Sequence, residues 1–164
     1  MTGMMKVFVS SVIDASAAQV WAVVRGFNEM PDWHPLIARS RIEGAHPQDR
    51  IGCVRNFDLT DGGNIREQLL SLSDFDYSFS YSILEAGLPL YDYVAGLRLI
   101  PVTDGDRTFA EWSAEFRTDP GREDEMAQTV GEGVFQAGFD ALKARFDPDL
   151  AGRETPDGAA ASRE

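Results

Sequence analysis

Tyr77, Phe79, Tyr81 and Ile83 alternate with Ser78, Ser80 and Ser82. A period of two puts large apolar side chains on one face of a strand and small polar ones on the other. Such a strand needs a core on one side and accepts water on the other, as antiparallel sheets do. The same period recurs along the chain. Tyr91 to Pro101 turns Tyr93, Ala95, Leu97 and Leu99 one way and Asp92, Gly96 and Arg98 the other. Thr108 to Phe116 sets Ala110, Trp112, Ala114 and Phe116 against Glu111, Ser113 and Glu115. Met5 to Ile13, Arg39 to Glu43, Cys53 to Leu59 and Ile65 to Leu72 also read as strands. The last two flank Thr60-Asp61-Gly62-Gly63-Asn64, a hairpin signal.

Two segments follow a helical period instead. Ser16 and Gln19 form a capping box, and Val20, Trp21, Val24 and Phe27 follow on one face, predicting a helix over 17–26. Met30 to Ile37 carries Pro31 and Pro35, which limit it to a compact helical turn. Asp119 and Pro120 read as N-cap and first helical position of a helix over 121–146. Its stripe is Met126, Val130, Val134, Ala137 and Ala141, with Phe135, Phe139, Leu142 and Phe146 beside it. Residues 147–164 lack any period and read as a disordered tail after a single domain over 1–146.

The implied fold is α+β: a curved seven-stranded antiparallel sheet around a long C-terminal helix, with two short helices after the first strand. One helix cannot fill the concave side of such a sheet, so a gap is expected there.

Composition narrows the function classes. The 15 basic and 27 acidic residues give a net charge of -12. That argues against nucleic acid and anionic membrane surfaces, which require basic patches. One cysteine, Cys53, permits no internal disulfide and fits a cytoplasmic location. The two histidines, His34 and His46, make no metal-binding spacing with it, so no metal and no cofactor is expected. Val7 to Ile13 is too short for a membrane span, so no membrane insertion is expected.

The candidate site starts from Glu67, which shares a strand face with Ile65 and Leu69. A carboxylate on an inward face is costly without a partner or a wet cavity. With the hairpin centred on Gly62, Phe57 faces Glu67, and Arg55 lies diagonally on the same face. An Arg55–Glu67 pair would neutralise the acid and lower its pKa, which weakens a general acid/base role. Tyr81 and Tyr93 also point inward, and buried tyrosines direct their hydroxyls at a partner. His34, between Trp33 and Pro35, reads as packing or a hydrogen bond rather than a catalytic group.

Ala18-Gln19-Val20-Trp21, Trp33-His34-Pro35, Gly52-Cys53-Val54-Arg55, Ile65-Arg66-Glu67-Gln68-Leu69-Leu70 with Asp74, Tyr81-Ser82-Ile83 and the C-terminal helix together resemble the START-like helix-grip superfamily (SRPBCC). That superfamily includes polyketide cyclase/dehydrase and lipid-transport proteins and the plant abscisic acid receptors. The resemblance implies a curved sheet gripping a helix around a ligand cavity. From the receptors it implies that Glu67 lines the cavity, that Asp61-Gly62-Gly63 is a gate, and that Leu88-Pro89-Leu90 is a latch. Ala38 stands where the receptors place a lysine that meets the ligand's carboxylate, and the gate lacks their Ser-Gly-Leu-Pro sequence.

The leading reading is a carrier or sensor, monomer or homodimer, for a small hydrophobic or amphipathic molecule such as a lipid, polyketide-like or aromatic metabolite. Arg55 and Glu67 would orient it. Phe57, Leu59, Leu69, Tyr81, Ile83, Tyr93, Leu97, Trp112, Val130 and Val134 would wall it, with apolar burial supplying affinity at about 25 cal/mol per Å². Two other readings stay open. One is a cyclase/aromatase-like enzyme using Glu67 with Tyr81 or Tyr93 as acid/base. The other is a protein-interaction module with an unused cavity.

Overall fold

The computed structural model describes residues 2–151. Seven strands form one antiparallel sheet in the order β1-β7-β6-β5-β4-β3-β2. They are β1 (Met5–Ile13), β2 (Ile37–Ile42), β3 (Val54–Leu59), β4 (Asn64–Ser73), β5 (Ser78–Ala86), β6 (Tyr91–Val102) and β7 (Arg107–Arg117). Strands β2 to β7 are neighbours in both sequence and space, as short turns require. The N-terminal β1 closes the far edge against β7, from Met5 opposite Phe116 to Ile13 opposite Thr108.

Helix α1 (Ala17–Val24) follows β1, and Ser16 and Gln19 form the capping box that the sequence predicts. It ends two residues earlier than expected. Its Trp21 indole donates to Asp74 (2.8 Å), and Arg25 grips the same carboxylate through Nε and Nη2 (2.6 and 3.0 Å). The helix is thereby fastened to the β4–β5 turn.

Arg25 beside it, with help from Trp21, holds the Asp74 carboxyl down to about 2. A depressed carboxyl contributes stability above its unfolded value, about 3.9, and loses it as pH falls through the folded one. Asp74→Asn therefore lowers the thermal midpoint at pH 7, and the gap to wild type narrows between about pH 4 and about pH 2. A gap that stays constant across that range would show that the Asp74 charge contributes nothing.

The C-terminal helix is continuous but not uniform. Helix α2 (Glu123–Gln128) runs through a π-helical segment, Thr129–Gln136, into α3 (Ala137–Arg145). The predicted stripe holds at Met126 and Val130, then moves to Phe135, Phe139 and Leu142, all buried. One step of five residues replaces a step of four, because a π turn holds an extra residue. Ala137 and Ala141 are consequently only half-buried. The helix also starts later than the sequence suggests. Gly121 takes a left-handed conformation (φ 86°), and Asp119 accepts a hydrogen bond from Tyr91 (3.0 Å) instead of capping the helix. Pro148–Ala151 adds a single helical turn, α4, within the segment read as tail. Residues 152–164 of that segment lie outside the described residues.

Three irregularities in the sheet aim side chains at the core. The β4–β5 register shifts between Arg66 and Glu67 and again between Leu69 and Ser71. The second shift leaves Leu70 exposed and returns Leu72 to the inner face. The β6–β7 register shifts between Tyr91 and Val94, where Asp92 is left-handed (φ 51°) and Tyr93 turns inward. Among the described residues no helix is long and apolar enough to cross a membrane.

Candidate functional site

Glu67 and Arg55 face each other directly across β4 and β3, and Phe57 faces Ile65. The hairpin is therefore centred on Asp61, not on Gly62. Its turn is closed by Leu59 N–H donating to Gly63 O (2.8 Å) and by Gly63 N–H donating to the Asp61 side chain (2.8 Å). That turn chemistry moves the pairing by one full pleat, so the two side chains still share the inner face. What the sequence placed on a diagonal is a face-to-face pair.

The pair is almost sealed from water, with Arg55 1% and Glu67 5% exposed. Arg55 Nε donates to Glu67 Oε1 (2.9 Å), and Nη2 lies 2.7 Å from the same oxygen. The Nη2 contact is close but misaligned, so it adds charge attraction rather than a second good hydrogen bond. Arg55 Nη1 donates to the Phe27 carbonyl (2.9 Å). The guanidinium is covered by the rings of Phe27 (4.0 Å) and Tyr81 (4.9 Å).

Burial pushes the Glu67 carboxyl above its ordinary range, against the downward pull of Arg55. This reverses the shift expected from pairing alone, because desolvation of a fully enclosed carboxylate outweighs one counter-charge. Pairing opposes that upward shift. Protonating Glu67 would leave a buried guanidinium with no counter-charge. Both Arg55 contacts fall on Oε1. Among the described residues no hydrogen bond reaches Oε2, and Glu67 borders the internal cavity.

That cavity lies between the sheet and the C-terminal helix, with a volume of about 50 Å³. The gap is much smaller than one helix against a seven-stranded sheet suggests. Aromatic rings occupy the rest. Trp112 stacks on Phe135 (4.6 Å) and packs beside Phe139 (5.8 Å) and Trp33 (6.0 Å). A larger open depression of about 490 Å³ lies over β2 to β4, but its lining is polar and includes Arg39, Asp58 and Asn64. Glu67 is not part of its lining.

Of the residues the sequence selects, Phe57, Leu59, Glu67, Tyr81 and Ile83 line the cavity from the sheet. Tyr93, Trp112, Val130 and Val134 line it as well. Arg55, Leu69 and Leu97 do not. They share the inner face but sit behind the wall: Arg55 is held by Glu67 and Phe27, and Leu69 and Leu97 are each 1% exposed in the core. Sequence reasoning misses Met30, His34, Leu36, Ile37, Ile65 and Thr129 from the lining, along with Leu88 and Leu90. Most of these lie in turns or in the irregular helical segment, where no period marks an inward face. Leu88 and Leu90 lie in the segment that the resemblance implies is a latch.

The tyrosines are fixed hydrogen-bonding points. Trp112 Nε1–H donates to the Tyr81 hydroxyl (3.0 Å), and the Tyr81 and Tyr93 rings lie 6.5 Å apart. Burial first, and then the Glu67 charge, raise the Tyr81 phenol above its ordinary value. Burial, Tyr81 and Glu67 do the same at Tyr93. Both stay neutral.

His34 is committed to structure. Its Nδ1 accepts from Leu36 N–H (3.2 Å), which leaves Nε2–H to donate to the Val134 carbonyl of the π-helical segment (2.8 Å). Burial lowers its pKa, consistent with a neutral ring. The helix approaches so closely here that a Cβ at Gly138 would stand 2.9 Å from Trp112 and 3.0 Å from His34. No group of three His, Cys, Asp or Glu side chains among the described residues is placed to hold a metal ion.

The comparisons agree with this geometry. An uncharacterised protein from Bacillus thuringiensis is 30% identical, with a TM-score of 0.77, covering 87% of this chain and 98% of its own. A Thermobifida fusca protein is 26% identical, with a TM-score of 0.78, covering 88% of this chain and 94% of its own. Major latex-like protein 151 from Panax ginseng, at 15% identity, shares the fold alone, with a TM-score of 0.72, covering 88% of this chain and 99% of its own. No curated protein matches the chain. Residues 4–147 match the family described as polyketide cyclase / dehydrase and lipid transport. A helix-grip fold with an apolar cavity between sheet and helix, matched over nearly its whole length, places this chain in that polyketide cyclase/dehydrase and lipid transport family.

Proposed function

We propose that the protein binds a small hydrophobic or amphipathic molecule in the cavity between sheet and helix, as a carrier or sensor. One observation carries this reading: an apolar internal wall is interrupted by a buried carboxylate whose second oxygen is left without a hydrogen bond. A few fixed polar points in an apolar enclosure are the usual makeup of a small-molecule site.

At about 50 Å³ the cavity holds a few water molecules, against 300–1,000 Å³ for typical ligand sites. Binding therefore requires the mouth to open. Leu36, Leu59, Ile83, Leu88, Leu90 and Val134 line the cavity and are only half-buried, so they ring the side that faces water. Leu59 adjoins the β3–β4 turn, and Leu88 and Leu90 form the β5–β6 turn. Both turns are surface segments that can move without breaking the sheet.

Gentle extraction and mass spectrometry of the purified protein would recover a retained apolar compound. A panel of lipids and aromatic metabolites would raise the thermal midpoint, by about 2.7 kcal/mol of added stability at a ligand concentration of 100 Kd. No retained compound and no shift across the panel would overturn the proposal.

A further inference from the structure

The cavity's polar groups restrict the chemistry of its occupant. Arg55 is the cation nearest the site, and it is unavailable. Its Nε and Nη1 donate to Glu67 and Phe27, Nη2 is turned to Glu67 Oε1, aromatic rings cover its faces, and it does not border the cavity. His34 has both ring nitrogens engaged by backbone. The Trp112 N–H is given to Tyr81. Beside the neutral Tyr81 and Tyr93 hydroxyls, what remains is a charged acceptor: Glu67 Oε2, on a side chain 7% exposed and bordering the cavity. An enclosed acceptor without a donor carries a desolvation cost that a ligand donor would remove.

Charge gives a second restriction. Arg55 and Glu67 together are neutral. An anionic ligand would face a carboxylate with no free cation to meet it. A cationic ligand would leave the enclosed site with a net positive charge. Either brings an uncompensated charge into a medium of low dielectric.

Building on the binding reading above, we propose that the site selects neutral apolar molecules bearing a hydroxyl, phenolic or alcoholic, that donates to Glu67 Oε2, and that it rejects the matching carboxylic acids and amines. The apolar body lies against Leu59, Ile83, Leu90, Trp112 and Val130. The neutral Tyr81 and Tyr93 hydroxyls lie on the same wall and offer secondary hydrogen-bonding points to the ligand oxygen.

The test uses the unaltered full-length protein at pH 7 and two matched probe series. The first is phenol, anisole, benzoate and benzylamine. The second is 2-naphthol, 2-methoxynaphthalene, 2-naphthoate and 2-naphthylmethylamine. Members of a series share an apolar ring system and differ in donor and charge. Titration calorimetry or the thermal midpoint reads affinity. The hydroxyl compound binds about tenfold to a hundredfold tighter than its methyl ether in at least one series, as a hydrogen bond to a charged acceptor predicts. The acid and the amine bind more weakly than the ether.

An ether equal to the alcohol, or an acid or amine tighter than both, overturns the selectivity while leaving cavity binding intact. Failure of every probe in both series also overturns it. The retained-compound experiment then decides separately whether the cavity binds anything.

Discussion

Glu67→Leu lowers the thermal midpoint by roughly 6–20 °C, the equivalent of about 3–5 kcal/mol in a domain of this size. The loss arises from the partner left behind. Arg55 is 1% exposed and would keep only the Phe27 carbonyl as its hydrogen-bond acceptor, leaving a buried guanidinium without its counter-charge. Arg55→Leu behaves differently, because Glu67 can take up a proton and become neutral. Its carboxyl already lies above the ordinary range through burial, and removing Arg55 removes the opposing pull.

The sign follows. A carboxyl raised in the folded state contributes stability below its unfolded value, about 4.3, and loses it as pH rises through the folded value. Arg55→Leu is therefore closest to wild type near pH 5 and falls away toward pH 8, while the Glu67→Leu deficit changes little over that range. The double replacement recovers much of the single losses, since an apolar pair of similar volume leaves no buried charge. Denaturant unfolding of the four proteins at pH 5 and pH 8 measures this cycle. Additive losses, or equal pH dependence in the two single variants, would show that the pair is not coupled as its geometry requires.

Trp112→Ala costs about 3–5 kcal/mol, the usual range for deleting a buried large aromatic side chain. Trp112 is 1% exposed, stacks on Phe135 at 4.6 Å with 17° between the planes, and meets His34 edge-on at 6.2 Å. Its removal also takes the hydrogen-bond donor from Tyr81. The more specific expectation concerns space. Trp112 borders the cavity, so the vacated volume joins the existing 50 Å³ instead of forming a separate void. Apolar engineered cavities stay open and accept small aromatic molecules. Added indole should therefore raise the variant's midpoint by several degrees more than it raises that of wild type. A variant that loses stability but gains nothing from indole would mean that the helix has collapsed onto the sheet.

The two results bear on different parts of the site. The first probes how one polar group is kept in an apolar enclosure. The second probes how the enclosure is kept nearly closed. The proposed selectivity for hydroxyl-bearing molecules needs both: a fixed acceptor at Glu67 and an apolar wall around it.

Period-two alternation was sufficient to place Tyr81, Tyr93, Trp112 and Glu67 on one inner face. A strand has only two faces, and the apolar set identifies the buried one. The capping box at Ser16 and Gln19 marked the start of α1 for an equally local reason. The register of Arg55 against Glu67 was not legible to the same degree. It depends on how Asp61 and Gly63 close the turn, and a turn centred one residue away leaves every inward residue inward. The π-helical segment was also hidden. Its extra residue appears in the sequence only as a break in spacing between Val130 and Phe135, which an unbroken helical period passes over.

The sequence by itself determined the succession of strands along the chain, the single gripping helix and the identity of the inward acid, because periodicity, caps and turns are properties of neighbouring residues; the placement of β1 beside β7 came from the tertiary structure. Only the tertiary structure decided that Arg55 lies behind the cavity wall, that one carboxylate oxygen of Glu67 remains without a partner, and that the hollow is about 50 Å³. These depend on how side chains from β3, β4, α1 and the C-terminal helix fill a shared volume, and that packing is not encoded in any one segment.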